Sequence, residues 1–120
     1  MALHPVVRFC RISISRSTLE QALGLQLNRY EWDAGNGHYA QIDIDDTADI
    51  WRAVSHLLDI RGAHIRSLIE TGVIATASLD IAVIAREDVA ATYCVIPRSI
   101  VEAAGRAGME LEVSIYRSFN

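Results

Sequence analysis

Lysine is missing from the 120 residues, so all eleven basic side chains are arginine. Arginine meets carboxylates with a planar fork and needs no special function to be used that way. Fifteen acidic residues leave a net charge of -4, and no basic block stands anywhere along the chain. A direct nucleic-acid partner is therefore not expected. Only two cysteines occur, Cys10 and Cys94, without a CxxC spacing and without a nearby histidine, which fits buried reduced thiols. Long apolar runs are also lacking: residues 73–79 and 81–85 are interrupted well before the ~20 residues that span a bilayer. No contact with a membrane is expected. The first residues, Met-Ala-Leu-His-Pro, have neither the basic start nor the apolar stretch of a secretory signal. The expected location is cytoplasmic.

Catalytic and metal-binding patterns are equally scarce. The four histidines are His4, His38, His56 and His64, and none has a second histidine or a cysteine three or four residues away. The run Gly35-Asn36-Gly37 lacks the GK[ST] ending of a phosphate loop and precedes a strand-like segment. The serines around positions 13–17 and 114–118 are not in a G-x-S-x-G elbow. No catalytic residue, no metal and no cofactor is assigned, and the chain is not expected to be an enzyme.

Apolar residues make up 51% of the chain. At this length that is enough for one core, so residues 1–120 are read as a single domain. Val6, Cys10, Ile12 and Ile14 fall opposite Arg11, Ser13 and Ser15, which predicts a strand over 6–15, with Arg8 on the apolar side and Phe9 on the other. Ser17 and Glu20 form a capping-box pattern ahead of a short helix with Leu19, Ala22 and Leu23 inward, stopped by Gly24. Residues 25–39 have no period and include Asp33-Ala34-Gly35-Asn36-Gly37, predicting a long loop with a tight turn. Ala40, Ile42 and Ile44 give a second strand. Asp46 or Thr47 can cap the next helix, which carries Ile50, Val54, Leu57 and Leu58 and breaks at Arg61-Gly62. A further helical turn or two ends at Thr71-Gly72. Residues 74–85 and 92–96 read as strands joined by the polar turn 86–88 into a hairpin. Pro97 suits the first position of a helix that closes at Gly105 or Gly108. The cleanest alternation comes last, with Met109, Leu111, Val113 and Ile115 against Glu110, Glu112, Ser114 and Tyr116. The expected fold is α+β, a mostly antiparallel sheet with helices packed on one face, in the order β-α-β-α-α-β-β-α-β.

Three pieces of the chain occur in a familiar order: Phe9-Cys10-Arg11-Ile12-Ser13, Leu23-Gly24-Leu25, and the closing run from Ile96-Pro97 to Met109-Glu110-Leu111-Glu112-Val113-Ser114-Ile115-Tyr116. Together they resemble a family of small bacterial domains of unknown function. That family opens with an F-x-I-S-like strand and L-G-L and closes with a helix, a glycine turn and a strand ending near I-Y. Its proline- and glycine-rich, tryptophan-flanked stretch is echoed in part by Trp32 and Gly35–Gly37. The resemblance implies no catalytic residues. It does imply a kinship with immunity proteins found beside secreted bacterial toxins.

Charge and aromatic side chains gather between Tyr30 and Trp51. Asp43, Asp45, Asp46 and Asp49 lie within seven residues with no basic group between them, and Glu31 and Asp33 come just before. Carboxylates crowded in this way repel one another, a cost offset when something positive binds them. The same residues can instead cap a helix and form the wet face of a strand. Tyr30, Trp32, His38 and Tyr39 add the aromatic part of a protein-binding surface, and Trp51 fits either an anchor or the core. The reading favoured by these features is an immunity protein that neutralises a cognate toxin, such as a nuclease, by presenting an acidic, aromatic surface to a basic toxin domain. The alternative is a small-molecule-binding protein or small enzyme that uses the 30–45 loop with His38. The oligomeric state is left open, with pairing through an exposed sheet edge as a third possibility.

Overall fold

The structure, a computed structural model, describes residues 2–45, 48–86, 88, 91 and 93–118. Along them run β1 (Ala2–Cys10), α1 (Arg16–Leu23), β2 (Arg29–Asp33), β3 (Gly37–Asp43), α2 (Ile50–Glu70), β4 (Thr76–Arg86), α3 (Arg98–Arg106) and β5 (Glu110–Ser118). The five strands form one sheet in the order β2-β3-β1-β4-β5. Its pairs are antiparallel except β4 with β5, which run parallel. The α+β class and the mostly antiparallel sheet hold, while the order of elements is β-α-β-β-α-β-α-β.

One face of the sheet carries the core. Val7 and Phe9 of β1, Ala40 and Ile42 of β3, and Ala77, Leu79, Ile81 and Val83 of β4 are all buried, with Val7 between Ile42 and Leu79 and Phe9 between Ala40 and Ala77 across the sheet. They form one cluster with Leu19 and Leu23 of α1, Val54, Leu58 and Ile65 of α2, and Ile100, Ala103 and Ala104 of α3. The helices therefore cover the same face, and the other stays open, as the period of 2 along each strand requires.

Several sequence expectations change for identifiable reasons. The first strand ends at Cys10, because Arg11 adopts φ 55 and turns the chain, with its N–H donating to the Asn36 carbonyl at 2.8 Å. Its inward side is Val7 and Phe9, so Val6 and Cys10 join Arg8 on the open face. Both sides of this strand are apolar enough that alternation alone chose the wrong one; the position of Arg8 is decided by a partner 72 residues away, Asp80. The first helix is capped by Ser15, which accepts from the Thr18 N–H, whereas Glu20 accepts from the Leu27 N–H at 2.8 Å and ties down the outgoing chain. Gly24, at φ 72, ends the helix as expected.

Residues 25–39 are not a loop but hold a β-hairpin, with Asp33 opposite Gly37 at its tip. The Asp33 carboxylate accepts from the Gly35 N–H at 2.8 Å, and Gly37 supplies φ 66. β2 is an edge strand, with most of its residues exposed, so it shows no apolar period. One helix of 21 residues replaces the two expected over 50–70. Val54, Leu58, Gly62 and Ile65 keep one unbroken buried stripe, and Gly62 lets Ala107 approach; a Cβ at residue 62 would lie 3.5 Å from the Ala107 Cβ. A single glycine costs only about 1 kcal/mol within a helix. The cap is Asp49, accepting from the Arg52 N–H at 3.1 Å; the expected caps Asp46 and Thr47 lie outside the described residues.

The hairpin of 74–85 with 92–96 does not form. β4 is already paired along its length, by β1 on one side and β5 on the other, leaving no edge for a further strand. The described part of 91–97 is irregular, and Pro97 is the N-cap of α3 rather than its first residue.

Candidate functional site

The end of β3 and the segment after it form a ridge. The Asp43 N–H donates to the Asn28 Oδ1 at 2.8 Å, and the Ile44 N–H donates to the Pro5 carbonyl at 3.1 Å. These bonds fix residues 43–45 beside β1 and direct two carboxylates outward, those of Asp43 and Asp45, both exposed. A groove lies on either flank. The larger, about 660 Å³, separates the ridge from α2 and is lined by Ile42, Ile44 and Leu57 among apolar residues and by Asp43, Asp45, Arg52, Ser55, His56 and Asp59 among polar ones. The smaller, about 410 Å³, lies toward β1 and is lined by His4, Pro5, Val6 and Asn28 with the same ridge. Three carboxylates and one arginine thus border a partly apolar groove, which gives a negative rim around a floor able to take an aliphatic stem. The ends of arginine and lysine side chains, with their apolar methylenes, match that pattern.

Asp43 is also the end of a hydrogen-bond chain over the open face. The Tyr39 hydroxyl donates to the Gln41 Oε1 at 2.6 Å, and the Gln41 Nε2 donates to the Asp43 carboxylate at 2.6 Å. Tyr39 lies beneath the Arg29 guanidinium, 5.6 Å from ring centre to charge. Burial raises the Tyr39 phenol above its ordinary pKa, against the opposing pull of Arg8 and Arg29. On the neighbouring strand β1, Arg8 meets the Asp80 carboxylate of β4 at 2.8 Å, and the Ser114 hydroxyl reaches the same carboxylate at 2.8 and 2.9 Å. Burial works against the charge on Arg8, but Tyr39, Asp80 and Glu112 outweigh it and raise its pKa. Asp80 is only 1% exposed although no helix covers this face; its neighbours' side chains shield it.

The ten residues expected to bind a partner fall into separate places. Tyr30, Trp32 and His38 share the helix side of the β2–β3 hairpin: Tyr30 stacks on His38 at 5.7 Å, and Trp32 meets it edge-on at 5.3 Å. The Tyr30 hydroxyl donates to the Ile14 carbonyl at 2.6 Å, so this ring is a tether, whereas Trp32 is 68% exposed. Glu31, Asp33, Tyr39 and Asp43 point to the opposite face by strand alternation. Glu31 pairs with Arg29, and Asp33 is used in its turn. Asp43 and Asp45 form the ridge, Asp49 caps α2, and Asp46 lies outside the described residues. His38 lines neither groove, and the loop that was to form a pocket wall with it is the hairpin. Trp51 is half-buried against the core.

Sequence reasoning missed His56, Asp59 and Arg52 as neighbours of the ridge. Their spacing on α2, residues 52, 56 and 59, places them on one helical face, which was a usable signal once the helix start was known. The groups Arg8, Asp80 and Ser114 were separated by too much chain to be joined by pattern. Among the described residues, no three or more histidine, cysteine or acidic side chains converge as a metal site, and no helix is long and apolar enough to cross a membrane. The two cysteines are free and partly buried. Compared with known proteins, the chain matches no family model, no curated protein and no solved structure.

Proposed function

We propose that this chain is a non-catalytic binding domain of the immunity type, which neutralises a toxin by covering a basic part of the toxin with the acidic ridge. The observation that carries this reading is the groove between the ridge and α2, with Asp43, Asp45 and Asp59 on its rim and Ile42, Ile44 and Leu57 within. An acidic rim accelerates encounter with a basic surface, and the apolar floor adds contact once docked. A toxin that cleaves nucleic acid needs a basic cleft and would be a suitable target. The likeness of the chain's opening and closing segments to small bacterial domains with immunity-like members points the same way, and such a protector would act in the cytoplasm.

The test is protection. The toxin-like product of a neighbouring gene is expressed with and without this chain, and survival is scored. The wild type is expected to protect, and Asp43→Asn combined with Asp45→Asn is expected to protect poorly and to bind the purified toxin with a weaker salt dependence. Equal protection by wild type and double variant, with salt-independent binding, overturns the assignment of the ridge. Absence of any protection overturns the function.

A further inference from the structure

The tip of the β2–β3 hairpin brings together two left-handed backbone positions. Among the described residues, Arg11 is the one residue other than glycine with a positive φ, 55, and its N–H donates to the Asn36 carbonyl at 2.8 Å. Gly37, which follows Asn36, has φ 66 and lies against Arg11; a Cβ there would come 3.6 Å from the Arg11 Cα. The Ile12 N–H donates to the His38 carbonyl at 3.0 Å, so the chain leaving β1 is tied to the hairpin on both sides of Gly37. Asn36 itself is exposed, and its side-chain nitrogen reaches the Asp33 Oδ2 by a long bond of 3.4 Å.

We infer that Asn36 is a site of spontaneous deamidation, and that its conversion to isoaspartate releases the hairpin tip from Arg11. The reaction requires the nitrogen of the following residue to reach the asparagine Cγ, and a β-carbon on that residue obstructs the approach; Gly37 has none. In water the Gly37 amide loses its proton to hydroxide, and its nitrogen attacks the Asn36 Cγ to form a C–N bond. The Nδ2 leaves as ammonia, taking a proton from water, and a five-membered succinimide remains. Water then opens the ring at one of its two C–N bonds. Breaking the bond to Cγ gives aspartate, whereas breaking the main-chain bond gives isoaspartate, in which the chain runs through Cβ and Cγ. The net change is the exchange of an amide and water for a carboxyl group and ammonia, with no oxidant or reductant. Isoaspartate lengthens the turn by one main-chain atom and adds a negative charge beside Asp33. The former Asn36 carbonyl then branches off the chain as a carboxylate, so the acceptor that holds Arg11 at its positive φ is displaced. Asn28 is the internal contrast: it precedes Arg29, which carries a β-carbon, and its Oδ1 accepts from the Asp43 N–H at 2.8 Å. The site lies at the start of β3 and the acidic ridge at its end, so the two are tested separately.

Peptide mass spectrometry of the full chain, aged for weeks in mildly alkaline buffer, tests this. Asn36 is expected to gain the mass of one NH-to-O exchange at a rate proportional to hydroxide, at least about tenfold faster than Asn28. An isoaspartyl methyltransferase used as a reagent is expected to label the aged protein at residue 36. In the separated isoaspartyl fraction, amide exchange at Arg11 is expected to accelerate at least about tenfold while β5 is unchanged. Asn36→Gln, whose longer side chain would have to close a six-membered ring, is expected to stay unconverted and to keep Arg11 protected after the same ageing. An Asn36 that persists in the native chain while the urea-unfolded chain converts, an Asn28 that keeps pace with it, an isoaspartyl fraction with Arg11 as protected as before, or loss of that protection in aged Asn36→Gln overturns the proposal.

Discussion

β2 and β5 close the same sheet at opposite sides, and they are held and guarded by different means. β2 is short, alternates Arg29, Glu31 and Asp33 with Tyr30 and Trp32, and is pinned by the Tyr30 hydroxyl on the Ile14 carbonyl. Charge at every second position makes it a poor template for another strand. β5 is nearly twice as long, and its tie to the sheet is on the open face, where the Ser114 hydroxyl meets the Asp80 carboxylate that also holds Arg8. Its opposite side is the exposed stripe of Leu111, Val113 and Ile115. Both edges carry charge on the open face, Glu31 and Asp33 on β2 and Glu110 and Glu112 on β5, so they differ on the helix side: aromatic rings around His38 at one, an exposed aliphatic stripe at the other.

The largest effect expected from breaking this contrast comes from Asp80→Ala. It removes the partner of Arg8 and of Ser114 at once, from a site where the carboxylate is 1% exposed. Breaking a buried ion pair by removing one partner is strongly destabilising. Because Arg8 keeps 30% of its side chain in water, the expected loss is about 2–3 kcal/mol, toward the low end for such pairs. Urea unfolding measures it, and amide hydrogen exchange should accelerate more in β5 than in β2. Tyr30→Phe is the counterpart at the other edge. It leaves the Ile14 carbonyl without that donor, at a cost of about 1 kcal/mol, and should accelerate exchange in β2 while leaving β5 unchanged. Equal acceleration at both edges in either variant would mean that the sheet opens as a unit.

The sequence showed one of these edges plainly and hid the other. The alternation from Met109 to Tyr116 is strict because β5 has a wet side and an apolar side, and a period of 2 is all that a strand of this kind needs to be read. β2 left no such trace, since a largely exposed strand has no inside to favour apolar residues; its hairpin was legible only in the turn residues from Asp33 to Gly37. The long helix was cut in two on paper by Gly62, a residue whose reason lies in its approach to Ala107, 45 positions away. β1 was read inside out for the same kind of reason, as Arg8 takes its place from Asp80. At the candidate site, Asp43 and Asp45 were legible as a cluster, but the groove beside them needs Arg52, His56 and Asp59 from α2, which only the packing of that helix against the sheet supplies. The aromatic residues lay near the acids in sequence, and strand alternation then sent Tyr30 and Trp32 to the opposite face from Glu31 and Asp33.

Alkaline pH tests the open face between the two edges. The Tyr39 phenol has a folded pKa raised above its ordinary 10.0, chiefly by burial, so the unfolded chain gives up this proton first. The stabilisation from keeping the phenol protonated is therefore complete below about pH 10 and is lost as pH rises through the folded pKa. Tyr39→Phe, which also removes the bond to Gln41, is expected to be slightly less stable at neutral pH and to show a shallower loss of stability above pH 10 in thermal unfolding. Identical alkaline limbs in the two proteins would remove Tyr39 from this account.

The smallest expected effect is the one on which the two edges should agree. Trp32 and Ile115 are 68% and 70% exposed, so either can be truncated to alanine with little loss of buried area. Both changes should alter the stability of the isolated monomer by no more than about 0.5 kcal/mol, the usual range for exposed positions; Trp32 gives up only its edge contact with His38. Measured under dilute conditions, the two variants should be indistinguishable from the wild type and from each other. A loss well above that at either position would mean that the side chain is held by contacts its exposure does not show.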